Sequence, residues 1–160
     1  MRLAWFLLAV PLLAACGGSS DAKQKTQPPP RQSPRLTQQQ FSNAGNLVCL
    51  HSDRRVYRLG ELTRDPAGWA KTAHAARLGI AEMKTLRPPL ADQAGFDHLM
   101  VLAQKLADGI AKVHTALVKK DYAAARKAQF AATDVDTQIH KQARKLGLTF
   151  CQQLLTNWPA

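Results

Sequence analysis

Several signatures of chemistry are missing from this sequence. It has no CxxCH for covalent haem, no CxxC pair, no GxSxG nucleophile elbow and no HExxH helix. The commonest covalent-haem bundle, the α/β-hydrolase site and the zinc-protease site are therefore excluded as readings. No stretch alternates apolar and polar residues as a half-buried strand does. The chain also lacks a membrane span. Its long charge-free apolar run, Leu3 to Ala15, has 13 residues, and a spanning helix needs roughly 20. Negative charge is scarce: 11 Asp and Glu stand against 22 Lys and Arg, a formal net charge of +11. Aromatic residues make up only 6% and cysteine occurs three times. With 9 Gly and 9 Pro the chain is not collagen-like or of low complexity, and at 46% hydrophobic it can bury a core. Its 160 residues suffice for one domain.

The amino-terminal segment has the form of an export signal. Arg2 precedes the apolar run, and small residues close it. The closing residues are Leu13-Ala14-Ala15-Cys16, followed by Gly17-Gly18-Ser19-Ser20. This segment resembles the lipobox of bacterial lipoproteins. The resemblance implies cleavage before Cys16 and acyl chains such as palmitate on its thiol and new amino group. Gly rather than Asp at position 17 implies sorting to the outer membrane, with the folded part facing the periplasm. Inner-membrane and surface-exposed placements remain the alternatives. Several acyl chains hold a protein stably where one holds it weakly.

Lipidation of Cys16 leaves an even pair, Cys49 and Cys151, in an oxidising compartment where disulfides persist. Two thiols alone do not complete a zinc site, so a bridge is the expectation. It would close about 100 residues and contribute about 4.7 kcal/mol in the chain-entropy model.

Three regions follow: residues 1–15 as signal, 16–36 as lipidated Cys and tether, and 37–160 as a helical domain. The tether, SSDAKQKTQPPPRQSPR, has four prolines and no aliphatic side chain larger than Ala. Such a segment cannot order itself by burial, and Pro28-Pro29-Pro30 favours an extended spacer.

From Thr37 onward, apolar residues recur at helical spacing. Thr37 and Gln40 form a capping-box pattern, with Phe41, Ala44, Val48 and Leu59 near one stripe and Gly60 as a stop. Asp65-Pro66 restarts the helix pattern. Trp69, Ala73, Ala76, Ile80 and Met83 follow, and Pro88-Pro89 marks an end. Phe96, Leu99, Ala103, Leu106, Ile110, Val113 and Leu117 form a third stripe. Asp121 caps a fourth helix with Ala125, Ala128, Ala132, Val135, Ile139 and Leu146 inward, and Gly147 stops it. The tail after it, with Cys151, Leu154, Leu155 and Trp158, is expected to turn back as a short helix. The prediction is an all-α protein, an antiparallel four-helix bundle with a short C-terminal helical tail stapled by Cys49–Cys151.

Without Arg2, the tether's Lys23, Lys25, Arg31 and Arg35, and Asp21, the domain keeps 17 basic and 10 acidic residues, or +7. The basic residues cluster late in each helix and the acidic ones at the starts, as the helix macrodipoles favour. In an antiparallel bundle this splits positive charge between both poles, which argues against a nucleic-acid face. Arg54 and Arg58, one turn apart on the first helix, are the candidate contact for an anionic partner. His51-Ser52-Asp53 spells a hydrolytic triad, but consecutive helical residues diverge and cannot converge on one bond. Met83, His98 and His114 on or beside core stripes are the residues a non-covalent haem would use, with His51, His74 and His140 also beside core positions. Met83 and Met100 are too few for a methionine-rich copper protein. No metal or other cofactor is expected.

Leu36-Thr37-Gln38-Gln39-Gln40 resembles the LTxxQ motif of the Spy/CpxP-like periplasmic chaperones. The resemblance covers five residues, the usual second copy is absent, and no site residue carries over. The expected function is non-catalytic: a lipid-anchored domain that binds an envelope protein as an accessory, inhibitor or immunity-type subunit. A chaperone-like or anionic-ligand-binding module is the alternative. An enzyme and a haem or metal carrier rank behind both.

Overall fold

The computed structural model of the chain describes residues 34–59 and 65–152. The signal segment, nearly all of the tether, Gly60 and the apolar residues Leu154, Leu155 and Trp158 lie outside the described residues. Within them the chain is an antiparallel four-helix bundle, all-α, as the stripes predict. The helices are α1 (Gln38–Tyr57), α2 (Pro66–Met83), α3 (Gln93–Val118) and α4 (Tyr122–Lys145). Single 3-10 turns sit at Leu90–Asp92 and Phe150–Gln152.

The starts follow local chemistry. Thr37 accepts from the Gln40 N–H at 3.3 Å, and the Gln40 side chain accepts from the Thr37 N–H at 3.0 Å, a complete capping box. The LTxxQ residues are thus occupied in starting a helix. Asp65 accepts from the N–H groups of Ala67 and Gly68, with Pro66 as the first helical residue. Asp121 accepts from the Ala124 N–H at 2.9 Å.

The ends differ more from expectation. α2 stops at Met83, five residues before Pro88. The chain unwinds there through Lys84→Ile80, Thr85→Glu82 and Leu86→Met83 backbone bonds. The unwound strand then takes a partner, because the Leu36 N–H donates to the Arg87 carbonyl at 2.9 Å. Arg35 adds a bond to the Pro88 carbonyl at 3.0 Å. Among the described residues, Arg35 and Leu36 of the segment assigned to the tether thus already contact the folded body. α3 ends with Lys120 at φ 59°, where Asp121 and Lys120 N–H groups return to Ala116 and Leu117. α4 ends the same way at Gly147, φ 72°, with Leu148 and Gly147 returning to Ala143 and Arg144. Both are Schellman turns, one on the glycine that such turns favour and one on a lysine.

Two apolar clusters form the core. Phe41, Phe96, Leu99, Leu102, Ile139, Leu146 and Leu148 pack at one end, with Phe41 and Phe96 edge to face at 5.5 Å. Trp69, Ala73, Ile110, Val113 and Leu117 pack at the other. Small residues bring α3 and α4 close: a Cβ on Gly109 would lie 3.2 Å from the Ala132 Cβ. The buried face of α1 is Phe41, Gly45 and Cys49, one position round from the Ala44–Val48 stripe. Gly45 lets Leu148 pack closely there: a Cβ would lie 2.6 Å from the end of the Leu148 side chain, which would have to shift. Among the described residues, no helix is long and apolar enough to cross a membrane.

Candidate functional site

The site is built by the turn that follows α4. The Schellman turn at Gly147 sends the chain back along α1, and three α1 side chains hold it there. Ser42 Oγ donates to the Gly147 carbonyl at 2.6 Å, and Gln38 Nε2 donates to the Leu146 carbonyl at 3.4 Å. Asn46 Oδ1 accepts the Phe150 N–H at 2.9 Å. This latch places Cys151 beside Cys49, with Cα atoms 5.0 Å apart, and the two are disulfide-bonded. Both cysteines are buried, at the end of the core that holds Phe41 and Leu148.

The latch fills the wider gap between α1 and α4. No Cα of α1 comes within 8 Å of a Cα of α4, whereas α3 packs on both α2 and α4, and α2 on α1. The 3-10 turn at Phe150–Gln152 touches both α1 and α4 and bridges their seam. Behind the seam lies a cavity of about 110 Å³. It draws walls from every helix: Val48 of α1, Ala76 of α2, Ala103 and Leu106 of α3, and Ile139 of α4. Members of both core clusters line it, Leu99 from one and Ile110 from the other. The small side chains of α2 and α3 explain the space, because Ala76 and Ala103 stand where longer residues would meet across the bundle.

Among the described residues, one titratable group faces this cavity: Asp136 lies in its wall and is only 8% exposed. Burial pushes its carboxyl up to about 7. His140, one turn on, brings Nε2 to 3.3 Å from Asp136 Oδ1, but at an angle that makes no hydrogen bond. Burial, then the nearby Arg144 charge, lowers the imidazole's pKa. Proximity alone would suggest an ion pair. The two shifts instead favour neutral forms of both groups, and the missing hydrogen bond agrees with the shifts. The other buried polar side chain, Thr72, is satisfied: its hydroxyl donates to the Gly68 carbonyl at 3.0 Å.

Asp136 was not among the residues singled out from the sequence. The signal is nonetheless present, since Ala132, Asp136, Ile139, Ala143 and Leu146 repeat at spacings of four and three. Polarity argues for the neighbouring Val135, which is only half-buried.

The other expected residues fall elsewhere. Cys16 lies outside the described residues. Arg54 and Arg58 are both exposed on the outward side of α1, one turn apart. Between them Arg55 turns inward and forms an ion pair with Glu82 of α2. The hydrogen bond between them raises the arginine's pKa and lowers the glutamate's. His51 is exposed, while Ser52 faces the cavity and packs against Gly79, so the His51-Ser52-Asp53 run does not converge. His74 and His98 are exposed, and His114 Nδ1 lies 2.9 Å from the Pro66 carbonyl. Met83 and Met100 line the cavity, but neither has a histidine beside it among the other lining residues. Among the described residues, no three His, Cys, Asp or Glu side chains gather as metal ligands would.

Comparison of the chain with protein-family models, with curated proteins and with solved structures finds no match.

Proposed function

We propose that this protein is a lipid-anchored periplasmic binding module that engages an envelope protein through the outward face of α1. It acts as an accessory, inhibitor or immunity-type subunit and performs no catalysis of its own. The observation that carries this reading is the composition of that face. Leu47, His51, Arg54 and Arg58 follow one another at helical spacing, with Tyr57 beside them. Leu47 is 53% exposed and Tyr57 80%. Arginine and tyrosine are enriched at the centres of protein interfaces, because each covers apolar area and still offers directed hydrogen bonds. On this face the exposed leucine and tyrosine stand beside two arginines, the mixture of apolar and charged groups that an interface centre combines. The lipobox Leu13-Ala14-Ala15-Cys16 supports an envelope location, and the prolines of the tether would set the domain off the lipid surface.

The partner implied is a protein with an acidic patch bordering an apolar one. Pull-down of the intact lipidated protein after mild cross-linking, with identification of what is captured, tests the reading. The expected result is one dominant protein whose capture is lost with Arg54→Glu/Arg58→Glu and weakened with Tyr57→Ala. Equal capture by the wild type and both variants would refute the assignment of this face.

A further inference from the structure

The cavity between the helices is lined by other α1 residues than the outward face carries, and has a chemistry of its own. Its size is of the order of the 150 Å³ engineered cavity that holds benzene, at about 110 Å³. An empty space of that size would forfeit contacts its lining could make, and well-packed cores ordinarily close such spaces. This one persists between two well-packed clusters. It also carries a carboxyl, which an apolar cavity kept only by poor packing would not need. A buried carboxylate is strongly disfavoured unless a cation or several donors meet it. The donors on hand are few. The other residues named in the wall are aliphatic, small, methionine or hydroxyl-bearing, and none is charged. On α4 itself His140 makes no hydrogen bond to Asp136, and Arg144 is exposed two turns away.

We propose that this cavity is a binding site for a small apolar monoamine, whose hydrocarbon body fills the space among Ala76, Ala103, Leu106 and Ile139 and whose ammonium pairs with Asp136. Charge complementarity selects this occupant over others. A fatty acid would bring a second carboxyl to Asp136, and the two could not both ionise at that distance. The chain's own residues 153–160, QLLTNWPA, follow directly from the wall residue Cys151, but they contain no Lys, Arg or His to bring to the carboxyl. Binding would give the buried carboxyl a charge-assisted hydrogen bond.

The test is a titration of the isotopically labelled, oxidised full-length protein with n-pentylamine, 1-pentanol and pentanoate, followed by NMR of the Ile139, Met100 and Ile110 methyl groups. The expected result is that pentylamine shifts these methyls with a dissociation constant at least about tenfold below that of pentanol, and that pentanoate leaves them unmoved. Asp136→Asn should bring the amine to the alcohol's affinity. Ala103→Leu, which fills the cavity while keeping its apolar character, should abolish both. Three results would overturn the proposal: equal affinity for amine and alcohol in the wild type, unchanged amine affinity in Asp136→Asn, or no methyl shift with the amine. Close contacts from Trp158 to Ile139 that persist in excess amine would assign the space to the chain's own carboxyl-terminal segment and would equally overturn it.

Discussion

Replacing Asp136 by Asn should make the protein more stable at neutral pH, and the gain should depend on pH in a defined way. Burial moves this carboxyl from its ordinary 3.8 to about 7. Between those values the unfolded chain has lost the proton while the native state still holds it. The native state therefore binds more protons, and stability falls as pH rises through the window. At about 1.4 kcal/mol per pH unit, the loss reaches on the order of 4 kcal/mol by pH 7 and then levels off. At pH 5 it should be roughly half as large. Asn keeps the shape and cannot ionise, so its curve should lack this slope. His140 works in the opposite sense. Burial lowers its pKa, so the unfolded imidazole takes up a proton more readily, and stability falls as pH drops below the usual histidine range. Placing both proteins in a His140→Gln background isolates the carboxyl. The assay is guanidinium denaturation of the oxidised protein from pH 4 to pH 8, with the slope of each transition checked for constancy. Relative to the Asn variant, the wild type should lose stability from pH 4 to pH 7, so that the variant gains on it across this window and overtakes it. Parallel curves, or an Asn variant less stable at pH 8, would refute the assignment of an uncompensated carboxyl.

Other expectations follow from individual contacts. Cys49→Ala/Cys151→Ala, or addition of reductant, should cost about 4–5 kcal/mol and lower Tm by on the order of 10 °C in a calorimetric scan; an unchanged Tm would mean the bridge contributes nothing. Lys120→Gly should stabilise by roughly 0.5–1 kcal/mol, because Lys120 sits at φ 59°, where a Cβ is penalised and glycine is not; a loss on chemical denaturation would contradict this. Ile110, 1% exposed, tolerates no charge, so Ile110→Asp should cost roughly 5 kcal/mol and abolish cooperative melting by circular dichroism.

How much of this was legible in the sequence depended on how local the cause was. Thr37 with Gln40, Asp65 with Pro66, and Asp121 could be read because a cap is decided within four residues. Gly147 could be read because glycine announces a left-handed turn, whereas Lys120 adopts the same geometry without announcing it. The disulfide followed from counting cysteines and from the compartment that the lipobox implies. The end of α2 at Met83 was not legible, because the unwound residues are held by Arg35 and Leu36, some 50 positions away in the chain. The wider spacing of α1 and α4 was hidden for a related reason. A stripe says that a helix buries one face but not against which neighbour, and the α1 residues that hold the turn in the seam, Gln38, Ser42 and Asn46, are polar. Asp136 was hidden by its polarity, although its spacing places it among the buried residues of α4.

The central claim is that this bundle works outside the cytosol, held at a bilayer through Cys16. Intact-mass and peptide mass spectrometry of the protein purified from membranes tests it most directly. The account predicts a mature chain that begins at Cys16 and carries diacylglyceryl and acyl mass on that residue, with Cys49 and Cys151 recovered as one linked pair. A chain that still begins at Met1, with no added mass on Cys16, would contradict it.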